Sequence, residues 1–221
     1  MKPFKPPSPI ATNALIGLCV AVQAAVAVGG TGFDQRLDFS YGLIPARIMA
    51  AMAGKTAPVS ASLTLFSHMF LHSGWLHLAL NILFFAWVGR YVEWVTGRWA
   101  LVGIFIAGGL AGAALQIISN PASTAPIVGA SGAIAAVFGA YAVLFASSQA
   151  EPRTLFGIGI SGETLTALWY AAAWIGLQLL TGIVFNTGGG GMHIAIWTHI
   201  GGFVTGLLLA RPWRQAPKRK S

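Results

Sequence analysis

From Trp99 to Ile118 the chain runs twenty residues without one charged side chain, and charge-free runs of similar length recur in five other places. In hydrocarbon nothing but the chain itself can bond a backbone N–H or C=O, so runs like these cross a bilayer only as helices. About 20 residues are needed to cross the roughly 30 Å apolar core. A soluble domain carries about 25% charged residues, but here 8% of the chain is charged and 56% hydrophobic. Too little polar surface would remain to cover a water-soluble globule. The sequence therefore predicts an all-α integral membrane protein.

Six spans are expected: Ile10–Val28, Ser73–Val88, Trp99–Ile118, Ser131–Phe145, Leu165–Phe185 and Met192–Ala210. The first follows two lysines and ends in Ala25-Val26-Ala27, but it exceeds the roughly 7–15 residue core of a signal peptide and reads as an uncleaved helix. Residues 31–66 form a large first loop in which Ile44–Ala53 is too short to span and suits an interfacial helix or hairpin. Arg90, Glu93 and Arg98 mark one polar turn, and Glu151, Pro152, Arg153 and Glu163 another. Residues 1–9 are a basic, proline-rich arm, 10–210 the membrane domain and 211–221 a basic tail. An even number of spans puts both termini on one side. Ten cations fall there (Lys2, Lys5, Arg90, Arg98, Arg153, Arg211, Arg214, Lys218, Arg219 and Lys220), and three (Arg36, Arg47, Lys55) on the other. Cytoplasmic lysine and arginine excess then predicts cytoplasmic termini and an extracytoplasmic first loop. That bias accounts for the net charge of +8 without nucleic acid. The single Cys19 excludes an intrachain disulfide.

Polar groups inside apolar spans demand partners. The five carboxylates (Asp34, Asp38, Glu93, Glu151, Glu163) all fall in loops or at span ends. This removes paired intramembrane aspartates and a Ser-His-Asp triad, and it weighs against proton-coupled transport. His72, His77 and Asn81 open the second span. His77 and Asn81, four apart, share one helix face. They suit either donation to an oxyanion or interhelical packing. Metal is the rival reading of the clustered histidines, His68 and His72 included, but no His-Glu-x-x-His, nearby carboxylate or cysteine completes a shell. Gly129-Ala130-Ser131-Gly132 puts a serine where a loop enters a helix and backbone N–H groups are unpaired. Alone, it reads equally as small-residue packing. His199 lies inside the sixth span with Gly202 and Gly206 following on its side. Those glycines permit either close approach to another helix or a dimerisation face.

Taken together, His72, His77 and Asn81, then Gly-Ala-Ser-Gly, then His199-x2-Gly202-x3-Gly206, in that order and in those spans, resemble the rhomboid intramembrane serine proteases. The resemblance covers about His68 to Ala210. It implies a six-helix rhomboid-like bundle and a Ser131–His199 dyad with no cofactor or metal. His77 and Asn81 would join the Ser131 N–H in the oxyanion hole, with Gly129 and His72 supporting it. Substrates would be single-span transmembrane proteins reached through the lipid bilayer, and a bacterial inner membrane is the expected location. A non-catalytic relative that binds transmembrane clients is the alternative, and a small-molecule channel is a third reading. Two departures stand out. Leu63-Thr64 occupies the place of the family's frequent Trp-Arg pair. Ala135 stands where many members carry an aromatic against the catalytic histidine, so Phe138, Tyr141 or a backbone group must orient His199. Asn186–Gly191 is a candidate cap, and Trp169 and Trp174 a candidate wall of a lateral gate.

Overall fold

The computed structural model describes residues 8–30, 32–56, 58–145, 151–155, 158–162, 164–166, 168–170, 172–174, 176 and 195–213. Helices dominate. α1 (Ile10–Val28), α5 (Trp75–Thr96) and α6 (Arg98–Ser119) are each long and apolar enough to cross a membrane. The apolar helices α7 (Ser131–Phe145) and α8 (Ile196–Leu209) complete the core. Between α1 and α5 lie three short helices, α2 (Phe33–Tyr41), α3 (Pro45–Met52) and α4 (Pro58–Ser67), where only one interfacial element was expected. The all-α expectation holds, with one short strand pair in a loop. β1 (Arg153–Leu155) pairs antiparallel with β2 (Ile158–Ile160) in the polar loop after α7. Of the expected fifth span, 165–166, 168–170, 172–174 and 176 are helical, while its remainder, the Asn186–Gly191 segment, His193 and residues 1–7 and 214–221 of the basic arms lie outside the described residues.

The helix α5 corrects the expected end of the second span. It continues two turns past Val88, through Arg90 and Glu93, and stops at Gly97, whose φ of +87° breaks the helix. Charges normally mark a turn, but these two have separate uses. Glu93 is buried at 8% exposure and points inward. Its carboxylate accepts the Ala11 N–H and the Thr12 N–H, both at 2.9 Å, and the Thr12 hydroxyl at 2.8 Å. It thus supplies acceptors to the unpaired first turn of α1, which has no side-chain cap of its own. Gly89, one turn back, lets Thr12 seat: a Cβ there would come within 2.9 Å of Thr12 Cγ2. These contacts fix α1 antiparallel to α5.

At the centre, α6, α7 and α8 meet through backbone. Lipid gives apolar helices no hydrophobic reason to associate, so contact area and small residues hold them. A Cβ on Gly202 or Gly206 of α8 would strike the carbonyl of Gly132 or Ala136 of α7, and one on Gly139 would strike that of Phe203. Pairs 132/202 and 136/206 keep a constant offset, so α7 and α8 run parallel. The Gly202-x3-Gly206 pair therefore serves an intrachain contact, not a dimer face. Around this seam Ala133, Ala135, Ala136, Ala140, Val137 and Phe203 are fully buried.

Removing the Glu93 carboxylate strands three donors in the α1 first turn. Hydrogen bonds to a charged group contribute about 1.5–3 kcal/mol each in context. Glu93→Ala should lower the thermal midpoint in detergent far more than Thr12→Val, which removes only one of the three bonds. Equal midpoints for wild type and Glu93→Ala would show that the clasp does not hold α1.

Candidate active site

The site is assembled from three chain segments that meet at the entrance to α7. The approach to α7 is pinned first. Leu43 and Ile127 exchange backbone bonds of 2.9 and 2.8 Å, and the Ala46 N–H donates to the Ser123 carbonyl at 3.0 Å. Nearer the helix, the Gly129 N–H donates to the His68 carbonyl at 2.9 Å. Gly129 has φ +130°, a backbone region open to glycine and strained for other residues. A Cβ there would also lie 2.9 Å from His77 Cε1. Glycine at 129 thus does two things: it turns the chain into the helix and leaves room for the imidazole of His77. Ser131 follows as the first residue of α7.

On the other side, α8 carries His199 in its first turn. Its Nε2 lies 2.7 Å from Ser131 Oγ, a short hydrogen bond between residues 68 apart in sequence. The parallel glycine seam of α7 and α8 is what permits this. Ala135, where an aromatic was missed in the sequence, is fully buried and lies 3.5 Å from where a Gly202 Cβ would be. A ring at 135 would hold the helices apart. Phe138 instead packs its ring on Phe84, Trp174 and Phe203 at 5.0–5.6 Å between centroids. Trp174 stacks on Phe84 at 5.4 Å, whereas Trp169 is 71% exposed.

The histidines of the second motif divide. His77 borders Gly129 and meets His72 edge-on at 5.3 Å. His72 is buried, and its Nε2 sits 3.5 Å from the Ala130 N–H, beside the serine turn. Asn81 donates one amide N–H to the His77 carbonyl at 2.9 Å. It also lines, with His72, Cys19, Ala130 and Ile134, a cavity of about 10 Å³, close to the volume one water needs. No bond joins Asn81 to Ser131 among the described residues. His68 stands apart, donating through Nδ1 to the Thr64 carbonyl at 2.9 Å. At the Leu63-Thr64 departure, Thr64 is buried and its hydroxyl donates to the Ala61 carbonyl at 2.7 Å, so a backbone carbonyl bonds this position where the Trp-Arg pair is absent. Two residues the sequence did not single out matter here: Thr198, 4% exposed, and Gly112, a Cβ on which would strike the Thr198 carbonyl. Neither carries a motif, and their proximity is a product of the fold.

Burial lowers the pKa of His68 to about 4, against the bond to Thr64. Burial, and then the neighbouring His77, lowers that of His72 to about 4 as well. Both are neutral at neutral pH.

A family model of the rhomboid domain matches residues 60–215. The chain belongs to the rhomboid family, a multi-pass class of membrane protein. Among curated proteins it is similar to Rhomboid-like protease 5 of Toxoplasma gondii, 38% identical over 72 residues. That match covers 33% of this chain and only 8% of the relative's length.

Two outcomes test this geometry. Gly202→Ala drives a methyl into the Gly132 carbonyl and should lower the thermal midpoint more than the same change at the open position Gly103. The lowered histidine pKa values also set a pH dependence. Between about pH 6.5 and 4 the unfolded chain binds protons that the folded histidines refuse, so stability falls as pH drops through this window. His68→Gln should flatten that fall in the thermal midpoint, and an unchanged slope would sink the assignment.

Proposed function

We propose that this protein is an intramembrane serine protease that cleaves transmembrane segments of membrane-protein substrates. The observation that carries the reading is the 2.7 Å approach of His199 Nε2 to Ser131 Oγ at a helix entrance, in a chain of the rhomboid family. Ser131 attacks the scissile carbonyl carbon as its hydroxyl proton passes to His199. The carbonyl electron pair moves to oxygen, and the oxyanion accepts from the Ser131 N–H, His77 and the second amide hydrogen of Asn81. Collapse expels the amine, which takes the proton back from His199. Water, activated by the same histidine, then releases the acyl group. The five carboxylates all fall in loops or at span ends in the sequence, so turnover is expected to be slow beside triad enzymes.

The helix directions support the six-span topology. α7 and α8 run parallel, so if both cross the bilayer the chain must recross it once between them. Leu165–Phe185 is the charge-free stretch that fits. α1 starts beside Glu93 near the end of α5, and α6 descends from Gly97 at that same end. We read Ile10 and Arg211 as lying on one side, the side with ten lysines and arginines against three. We assign that side to the cytoplasm. The serine end then faces the other compartment, below the loop of α2–α4. Residues 1–9 and 211–221 flank a membrane domain of 10–210. Substrates are single-span proteins that reach Ser131 laterally from the bilayer. Fractionation of the native membranes decides whether the location is a bacterial inner membrane.

The test is reconstitution into vesicles with a single-span substrate. Wild type should cleave, and Ser131→Ala and His199→Ala should each fall by at least about 10³-fold. A serine-directed fluorophosphonate should label Ser131, and labelling should depend on His199. Cleavage that survives both substitutions rejects the dyad. Client binding without cleavage or labelling favours the non-catalytic reading.

A further inference from the structure

We infer that Gly112 of α6 is a positioning residue for His199: with Gly132 of α7 it forms a two-sided notch that grips the Thr198 peptide and sets where the imidazole lies. The inference rests on the reading of Ser131 and His199 as a catalytic pair. Position 135, one turn after the serine, offers only a buried methyl group, so alignment has to come from elsewhere. The structure supplies backbone. A Cβ on Gly112 would overlap the Thr198 carbonyl oxygen, with the carbonyl carbon and Cα each at 3.1 Å. A Cβ on Gly132 would stand 3.2 Å from the same oxygen and 3.3 Å from Thr198 Cβ. Seen from α8, a Cβ on Gly201 would stand 3.0 Å from both Ala111 O and Gly112 Cα. Two helices therefore close on one carbonyl from different sides.

That carbonyl belongs to the peptide whose nitrogen is His199 N. A shift of the Thr198 carbonyl is thus passed to the His199 Cα through one rigid planar unit. The Thr198 hydroxyl adds a local tie to the Ala195 carbonyl at the start of α8. The notch fixes α8 in depth and rotation just where Nε2 must meet Oγ at 2.7 Å. Hydrogen bonds weaken steeply with misalignment, and a 1 Å misplacement in a catalytic group can cost about 10²-fold in rate. One turn earlier on α6, Gly108 faces a different neighbour: a Cβ there would strike Ala136 Cβ of α7, not α8. Adding a methyl at 108 strains the same helix without touching the histidine's peptide.

The contrast defines the experiment. Gly112→Ala, Gly108→Ala and Gly132→Ala are purified in detergent, and the folded fraction of each is set by thermal unfolding. Single-span cleavage and the rate of fluorophosphonate labelling at Ser131 are then measured per folded molecule. Gly112→Ala should lose about 10²-fold in kcat and in labelling rate with KM within twofold. Gly132→Ala, whose methyl meets Thr198 without overlap, should lose about tenfold. Gly108→Ala should lose thermal midpoint but keep its rate per folded molecule within threefold. Should Gly112→Ala not fold, the comparison of Gly132→Ala with Gly108→Ala decides. Equal rates for the notch variants and wild type, or an equal loss in Gly108→Ala, overturn the notch and leave the dyad standing. A wild type that neither cleaves nor labels overturns the dyad, and with it the role given to Gly112.

Discussion

The backbone contact between α7 and α8 is the constraint on which the rest of the structure depends. Ser131 and His199 sit on different helices, 68 residues apart in sequence. Their approach depends on how near two helix axes can come. Gly202 against the Gly132 carbonyl and Gly206 against that of Ala136 set that distance. One added methyl on either glycine would overlap the facing carbonyl and force the helices apart. The fully buried alanines around the seam follow from the same requirement, since larger side chains would stand between the helices.

The other elements hold this seam in place. Gly129 and the strand-like exchange between Leu43 and Ile127 deliver the chain to α7 at a fixed angle. The first loop thus forms one wall of the approach to the serine turn. On the far side, Glu93 secures α1 to α5 by accepting from a helix start that has no cap of its own. The matched rhomboid domain begins at residue 60, so α1 lies outside it while Glu93, which holds α1, lies inside. The aromatic group of Phe84, Phe138, Trp174 and Phe203 joins the residues after β2 to α5, α7 and α8.

Much of this is legible in the sequence where hydrophobic length alone decides. α1, α6 and α7 fall within a residue of the charge-free runs, because a span must bond its own backbone. The end of α5 was not legible. Arg90 and Glu93 look like a turn, and no local signal says that Glu93 is used by a helix start 81 and 82 residues away. The three short helices after α1 were compressed into one because their apolar residues follow the loop's own packing and no single period. The Gly-Ala-Ser-Gly and His-x2-Gly-x3-Gly motifs drew attention to Ser131 and His199 because their spacing is distinctive. Gly112 is one of many glycines in apolar helices, and only three-dimensional proximity to Thr198 separates it from the others. The missing aromatic at 135 was visible as a gap, and a backbone group was one expected substitute, but nothing in the sequence pointed to Thr198 or Gly112.

The parallel course of α7 and α8 has an electrostatic consequence. Each peptide unit carries a dipole along the helix axis, and the positive pole sits at the N-terminus. An antiparallel pair would set opposite poles side by side and nearly cancel at its ends. Here two positive poles lie together, one under Ser131 and one under His199. The proposed oxyanion would form within the first turn of both, where each end favours negative charge by about 0.3–1 kcal/mol at exposed sites. The parallel course of these helices thus gathers positive potential at one point from backbone alone.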